Sequence, residues 1–175
     1  LTEAFKDISL AFEVANSDVV VDLDFSGSQR LRTQVEFGAK ADVFASADSF
    51  QTDLLLTASL IPRAPTDFAS NPLVVIAMAN GPVRKISDLA KPGVRVVLGQ
   101  ENVPVGSYSR QVLENVSSDA DLGFGGGFKD AVLANLASAE PNVNYVFQKV
   151  VLGEVDAGII YETYIANDSE IRAND

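Results

Sequence analysis

Cysteine and histidine are both absent from the 175 residues. Without cysteine there is no disulfide, no thiolate metal site and no thiol nucleophile, while the redox compartment stays open, since an extracytoplasmic protein can also do without cysteine. Without histidine the commonest general base, the commonest metal ligand and every Ser-His-Asp arrangement are gone. Long apolar runs are missing too. Nothing approaches the ~18 residues of a membrane span, and no basic segment leads into an apolar one as in a secretory leader, so the sequence as it stands is expected to be soluble. Basic residues are few and scattered, 13 against 24 acidic ones for a net charge of -11, which argues against nucleic acid as a partner. What is present is a 47% hydrophobic chain, long enough for one ordinary domain or two small lobes around a real core.

Apolar spacing sets out the elements. Leu1, Phe5, Ile8 and Phe12 recur every three or four residues, one face of an amphipathic helix. Val19, Val21, Leu23 and Phe25 alternate as in a strand, and Val20 on the opposite side predicts burial on both faces. The turn FSGS leads into QRLRTQVEFG, with Ser28 as the expected N-cap and Gly38 as the stop. ADVFASAD reads as a short strand, and SFQTDLLLTASL as a helix capped by Asp48 with Phe50, Leu54 and Ala58 on one face. After the loop IPRAPTDFA, NPLVVIAMAN is the most apolar strand candidate, followed by a short capped helix at ISDLA and another buried strand past the Pro92-Gly93 break. VPVGSYSRQVLENV and FKDAVLANLA read as helices, the first with Val105, Gly106 and Ser107 in its opening turn. Between them GFGGG lacks the register of a phosphate loop and reads as a surface linker. A helix capped at Asn142, with Val143, Val146, Phe147 and Val150 on one face, precedes the strand AGIIY that ends at Tyr161. This βαβα alternation predicts an α/β fold with parallel strands.

In such sheets ligands bind where loops leave the carboxyl ends of strands and helices begin. Ser28, Val105 and Val143 share that position, and Tyr161, at the end of a strand, offers a phenolic hydroxyl. A helix start presents unpaired N–H groups and a partial positive charge, which together make an anion site. Taken singly each residue also has a plainer reading: Ser28 as a cap, Val105 and Val143 as core positions, Tyr161 as a packing residue at an edge. Arg30 and Arg32 are expected to face solvent or to pair with an acid such as Asp24 rather than to clamp an anion. Glu154 and Asp156, with no histidine or glycine-rich calcium loop beside them, are expected in a solvated turn.

FSGSQRLRTQVEFGAKADVFASAD, FASNPLVVIAMAN, SDLAKPGVRVVLGQENVPVGSYSRQVLENV and GEVDAGIIYETYIA, in that order, resemble the periplasmic molybdate-binding proteins of ABC importers over nearly the whole chain. GAKADVFASAD, the LAKPGVRVVLG and VPVGSYS run, and DAGIIY are the most specific of these segments. The resemblance implies a two-lobed type II periplasmic-binding fold, α/β with mostly parallel sheets flanked by helices. Lobe one would hold residues 1–69 with 162–175 returning to it, and lobe two residues 70–161. It further implies an oxyanion site in which Ser28 gives its hydroxyl and backbone N–H, Val105 and Val143 give only their N–H groups, and Tyr161 gives its hydroxyl. Val105 stands where the family often has alanine, so a larger side chain would crowd the cleft. Family members also carry a ligand serine in a strand ahead of the segment matching LTEAF, and SSDADLGFGGG is longer than the corresponding loop.

The implied function is capture of molybdate or tungstate and delivery to the membrane permease of an ABC importer. The protein would be an extracytoplasmic monomer, periplasmic or lipid-anchored, not an enzyme, and without cofactor, free metal cation or nucleic acid. A binder of another oxyanion such as sulfate, a ligand-sensing effector domain and a metal-ion binder are the alternatives on the same fold. A net charge of -11 is compatible with an anionic ligand, because short hydrogen bonds to charge and helix dipoles do the binding. Surface charges beyond a Debye length of ~8 Å are largely screened at physiological salt.

Overall fold

Short unbroken runs of valine, isoleucine and leucine make the centre of the molecule. A computed structural model describes residues 2–165 and the backbone of 171–174. Its helices are α1 (Thr2–Ala15), α2 (Ser28–Glu36), α3 (Ser49–Thr57), α4 (Pro104–Ser118), α5 (Phe128–Ala134) and α6 (Val143–Val151). Its strands are β1 (Leu73–Met78), β2 (Val96–Gly99), β3 (Leu136–Glu140), β4 (Ala157–Tyr161) and β5 (Ile171–Asn174), joined in one sheet in the order β3-β2-β4-β1-β5. Alternate residues of the central strands serve opposite faces. Val75, Ala77, Val96, Leu98, Ala157 and Ile159 pack with Leu113 of α4 and Val132 of α5, while Ile76, Val97 and Ile160 pack with Val146 and Val150 of α6. β2 and β4 are buried throughout, as apolar strands covered on both faces should be.

The pairing is mixed. β2 is parallel to β3 and to β4, across helical connections, but β1 is antiparallel to both β4 and β5. Reversing β1 lays the entry into this region beside its exit: Leu73 is the register partner of Tyr161, and Glu162 N–H donates to the Pro72 carbonyl at 2.8 Å. Of residues 162–175, expected to return to the N-terminal lobe, the backbone of 171–174 pairs with β1, while 166–170 and 175 lie outside the described residues. β3 has no counterpart in the sequence reading, because LASAE, rich in alanine and at a sheet edge, carries little strand propensity.

The first seventy residues depart further from expectation. The stretches 19–25 and 41–47 form no ladder among the described residues, and Val20 is 82% exposed instead of covered on both faces. Alternation supplies a side-chain pattern, but a strand also needs a neighbour to bond. Here Val21 N–H donates to the Glu13 carboxylate at 2.7 Å instead. On α1 the expected apolar face buries no residue, although Phe5 meets Phe68 edge to face at 6.1 Å; Leu1 lies outside the described residues. On α3 the buried positions are Gln51, Thr52 and Leu55, and Phe50 is 62% exposed, because α3 turns toward α2, where Arg32 Nε donates to Gln51 Oε1 at 2.8 Å. Asp48 caps α3 as expected, accepting from Gln51 N–H at 3.0 Å.

Asp88 organises the turn between β1 and β2. Its carboxylate faces the Lys91 ammonium at 2.8 Å and accepts from the Arg84 and Lys85 N–H groups at 2.8 and 3.2 Å. The Lys91 interaction first, and then these amides, lower its pKa from 3.8 to about 2. A carboxyl lowered on folding contributes stability that is present above its unfolded value and is lost as pH falls through its folded one. The melting temperature should therefore drop between pH 4 and pH 2, and Asp88→Asn should flatten that part of a melting-temperature profile.

Candidate functional site

The parallel half of the sheet decides where the expected ligand residues go. β3, β2 and β4 are adjacent and run the same way, so their carboxyl ends share one edge. β2 leads into α4, β3 leads into α6, and β4 ends on Tyr161. The three positions consequently converge: Val103, Val105 and Tyr161 form one buried cluster, with Leu73, Val143 and Tyr164 packed against it. β3, the strand absent from the sequence reading, is what carries Val143 to this edge.

At the start of α4, Val103 is the N-cap and Pro104, which has no N–H to leave unpaired, takes the first helical position. The amides of Gly106 and Ser107 both donate to Val103 O, at 2.9 and 3.0 Å. The Val105 N–H, ahead of them, has no acceptor within the helix. Glycine is required here by contact: a Cβ on Gly106 would overlap the carbonyl oxygens of Gln100 and Gly99, and one on Gly99 would lie 2.7 Å from Val105 Cγ1. The two glycines let α4 begin directly against the end of β2, and Arg110 Nη1 ties the approach by donating to Gly99 O and Gly106 O at 2.9 Å each. The Val105 side chain is 1% exposed and packed into the cluster, so the group it can offer is its N–H.

At the start of α6, Asn142 caps as expected, its side chain accepting from Tyr145 N–H at 3.3 Å and leaving the Val143 N–H ahead of the first intrahelical bond. Tyr161 is 8% exposed and its hydroxyl has no hydrogen-bond partner. Burial, with the Asp48 carboxylate adding to it, pushes this phenol well above its ordinary pKa, so it stays protonated and remains a donor. An unpartnered buried hydroxyl costs about 1–3 kcal/mol, which an acceptor placed against it would offset.

Ser28 is in a different role from the one its sequence suggests. Gly27, not Ser28, is the N-cap of α2, its carbonyl accepting from the Arg30 and Leu31 amides at 2.9 and 3.1 Å. Ser28 occupies the first helical position, is 7% exposed, and its Oγ accepts from Ala47 N–H at 3.0 Å. With an acceptor site used, the hydroxyl proton and the Ser28 N–H are both still available to a ligand. The serine lies near the other three residues, since its neighbour Gln29 donates through Nε2 to Pro141 O at 2.9 Å, two residues before Val143. Asp48, next to Ala47, is also close enough for its charge to act on Tyr161.

The charged residues that the sequence singles out have other places. Arg32 pairs with Glu36 and Gln51 rather than with Asp24, because those partners lie on its own helix and on α3. Arg30 is exposed. Asp156 binds the Arg95 guanidinium at 2.9 and 3.3 Å, a firmer role than a solvated turn, while the exposed Glu154 offers Arg95 only its carbonyl. Among the described residues no group of three or more acidic side chains gathers into a metal site. GFGGG is an exposed turn, but Phe124 anchors it against Phe128 with ring centroids 4.8 Å apart.

The family described as bacterial extracellular solute-binding protein matches residues 1–173. The molybdate-binding protein ModA of Mycobacterium tuberculosis (strain H37Rv) is 39% identical over 163 residues, covering 92% of this chain and 57% of the relative. The chain thus spans somewhat more than half the length of that curated relative. Among solved structures, the periplasmic molybdate-binding protein of Azotobacter vinelandii is similar with a TM-score of 0.70 and 19% identity, over 99% of this chain and 72% of the other. The sulfate-binding protein SubI of Mycobacterium tuberculosis gives a TM-score of 0.80 and 17% identity, over 97% of this chain and 66% of the other. At those identities the two structures bear on the fold, which is the α/β fold of periplasmic binding proteins.

Proposed function

The chain belongs to the bacterial extracellular solute-binding protein family, and from that premise we propose that it captures a tetrahedral oxyanion, molybdate or tungstate first, for an ABC importer. The observation that carries the reading is the buried, unpartnered hydroxyl of Tyr161, gathered with the open helix starts at Val105 and Val143. Ser28 would add its hydroxyl and N–H, Val105 and Val143 their N–H groups, and Tyr161 its hydroxyl. All of these are neutral donors, and two of the helix starts add the positive ends of their dipoles. A fully ionised dianion accepts from every one of them. Hydrogen phosphate brings a proton that only a hydroxyl oxygen of this set could accept, at the loss of that hydroxyl's own bond to the anion, which favours molybdate, tungstate and then sulfate over phosphate. The 39% identity to a molybdate-binding relative supports the order of that list.

Residues 1–69, with 162–175 returning to them, would form one lobe and residues 70–161 the other. The anion shifts the population toward a closed form, because only there do donors from both lobes reach it. The protein would work outside the cytoplasm, periplasmic or lipid-anchored, as a monomer that hands its ligand to a membrane permease. No helix among the described residues is long and apolar enough to cross a membrane. Molybdenum would enter as cargo, with no resident cofactor and no catalysis.

Calorimetric titration with molybdate, sulfate and phosphate at one ionic strength tests this. The expected result is one-to-one binding, tightest for molybdate and weakest for phosphate. Ser28→Ala should weaken the molybdate affinity by roughly tenfold to a hundredfold, the scale of a lost hydrogen bond to a charged group. Phosphate bound as tightly as molybdate would overturn the neutral-donor reading, and no binding of any of the three would overturn the function.

A further inference from the structure

Residues 2–69 and 70–165 share little. None of the three buried apolar clusters contains a residue from the first group, and among the described residues no ion pair joins the two. Among the described residues one hydrogen bond does, the one from Gln29 Nε2 to Pro141 O at 2.9 Å, spanning 112 positions of sequence. Gln29 is the second residue of α2, directly after Ser28, and Pro141 lies between the end of β3 and the Asn142 cap of α6. The bond therefore ties together two of the helix starts that offer open N–H groups.

The surroundings of the amide suit this task. Its side chain folds back over Gly27, so closely that a Cβ there would lie 2.6 Å from Gln29 Oε1 and 2.8 Å from Nε2. Gly27 has φ -62 and ψ 138, which any residue adopts, so its backbone does not demand glycine. What the missing side chain provides is room for the Gln29 amide. The other end of that amide, Oε1, is buried with no partner. Gln29 also borders a cavity of about 160 Å³ that Asn102, one residue ahead of the α4 cap, helps to line. One amide thus stands where the starts of α2, α4 and α6 approach one another.

Resting on the function proposed above, we propose that Gln29 is an interlobe latch. Its bond to Pro141 O holds the starts of α2 and α6 at the spacing that a single anion bridges, without Gln29 itself touching the anion. Gln29 is then a positioning residue. A bond that exists only between closed lobes adds to the closed form whatever anion is inside, so it prolongs residence without choosing between anions.

Two variants remove the latch by different means. Gln29→Met keeps the length of the side chain and deletes the donor. Gly27→Ala keeps Gln29 but places a methyl group where its amide lies, which forces that amide off Pro141. Stopped-flow and calorimetric titrations of the full chain with molybdate and with sulfate should give, in both variants, dissociation constants raised about threefold to tenfold, the scale of one net hydrogen bond. The change should fall mainly on the release rate and leave the ratio of molybdate to sulfate affinity unchanged. A wild-type chain that binds neither anion overturns the function proposed above and the latch with it. A binding wild type whose release rate is unchanged by Gln29→Met overturns the latch alone. An altered molybdate-to-sulfate ratio in that variant also overturns it, since Gln29 would then be a ligand. A wild-type release rate in Gly27→Ala beside a fast one in Gln29→Met overturns the role given to Gly27 in seating the amide.

Discussion

Tyr161→Phe weakens oxyanion binding by about tenfold to a hundredfold and, in the same protein without anion, raises the melting temperature. The two effects share one cause. The Tyr161 hydroxyl is buried and has no partner among the described residues, so removing it relieves an unmet hydrogen-bonding group, and the ring stays in the cluster it forms with Val103 and Val105. For a chain of this size a relief of about 1 kcal/mol corresponds to about 2–4 °C. With the anion present, the same hydroxyl is expected to donate to a charged acceptor, worth about 1.5–3 kcal/mol, and phenylalanine forfeits it. Titration calorimetry and scanning calorimetry on one preparation read both. A purely packing role for Tyr161 gives unchanged affinity, and that outcome would remove the hydroxyl from the donor set.

Gly106→Ala unfolds the protein more easily by about 3 kcal/mol and abolishes measurable anion binding. In an ordinary helix this substitution stabilises by about 0.5–1 kcal/mol, so the sign alone is diagnostic. A methyl group at Gly106 meets the carbonyl oxygens of Gln100 and Gly99, backbone atoms that cannot rotate away. α4 must then lift from the end of β2, taking with it the Val105 N–H and the Arg110 bonds to Gly99 and Gly106. Overpacking of this kind lies at the upper end of the usual range of about 1–3 kcal/mol. Urea unfolding measures the loss, and Gly126→Ala, where a Cβ meets nothing within 4 Å, is the control expected to change little.

Which features were legible in the sequence follows from how local their causes are. The caps at Asp48 and Asn142 depend on a side chain and an amide three residues away, and both are found. The apolar runs of β2 and β4 reveal themselves because strands covered on both faces need no polar positions. β3 escaped because an edge strand such as LASAE is recruited by the exposed side of β2 rather than by its own propensity. The face of α3 is not legible from its apolar spacing, because Gln51 turns inward to Arg32 of α2 while Phe50 stays exposed. The sequence marks Ser28 both as a cap and as a ligand candidate. The cap belongs to Gly27, but the position at a helix start follows from the turn itself. Gln29 carried no signal, since its partner is 112 positions away and its conformation depends on what Gly27 lacks.

The antiparallel pair of β1 and β4 also bears on how such a chain can grow. Leu73 and Tyr161 are register partners, and Pro72 is bonded to Glu162, so the chain enters and leaves this region at one point. Opposed residues in such a pair stand about 5 Å apart, little more than one step along a backbone. In topological terms residues 73–161 are a closed loop on a narrow stem, as in an insert, though β5 of the flanking chain shares their sheet through β1. Inserts of that kind are accommodated where the host need not move to receive them. Changes of loop length within such a stem-bound segment leave its two ends where they are.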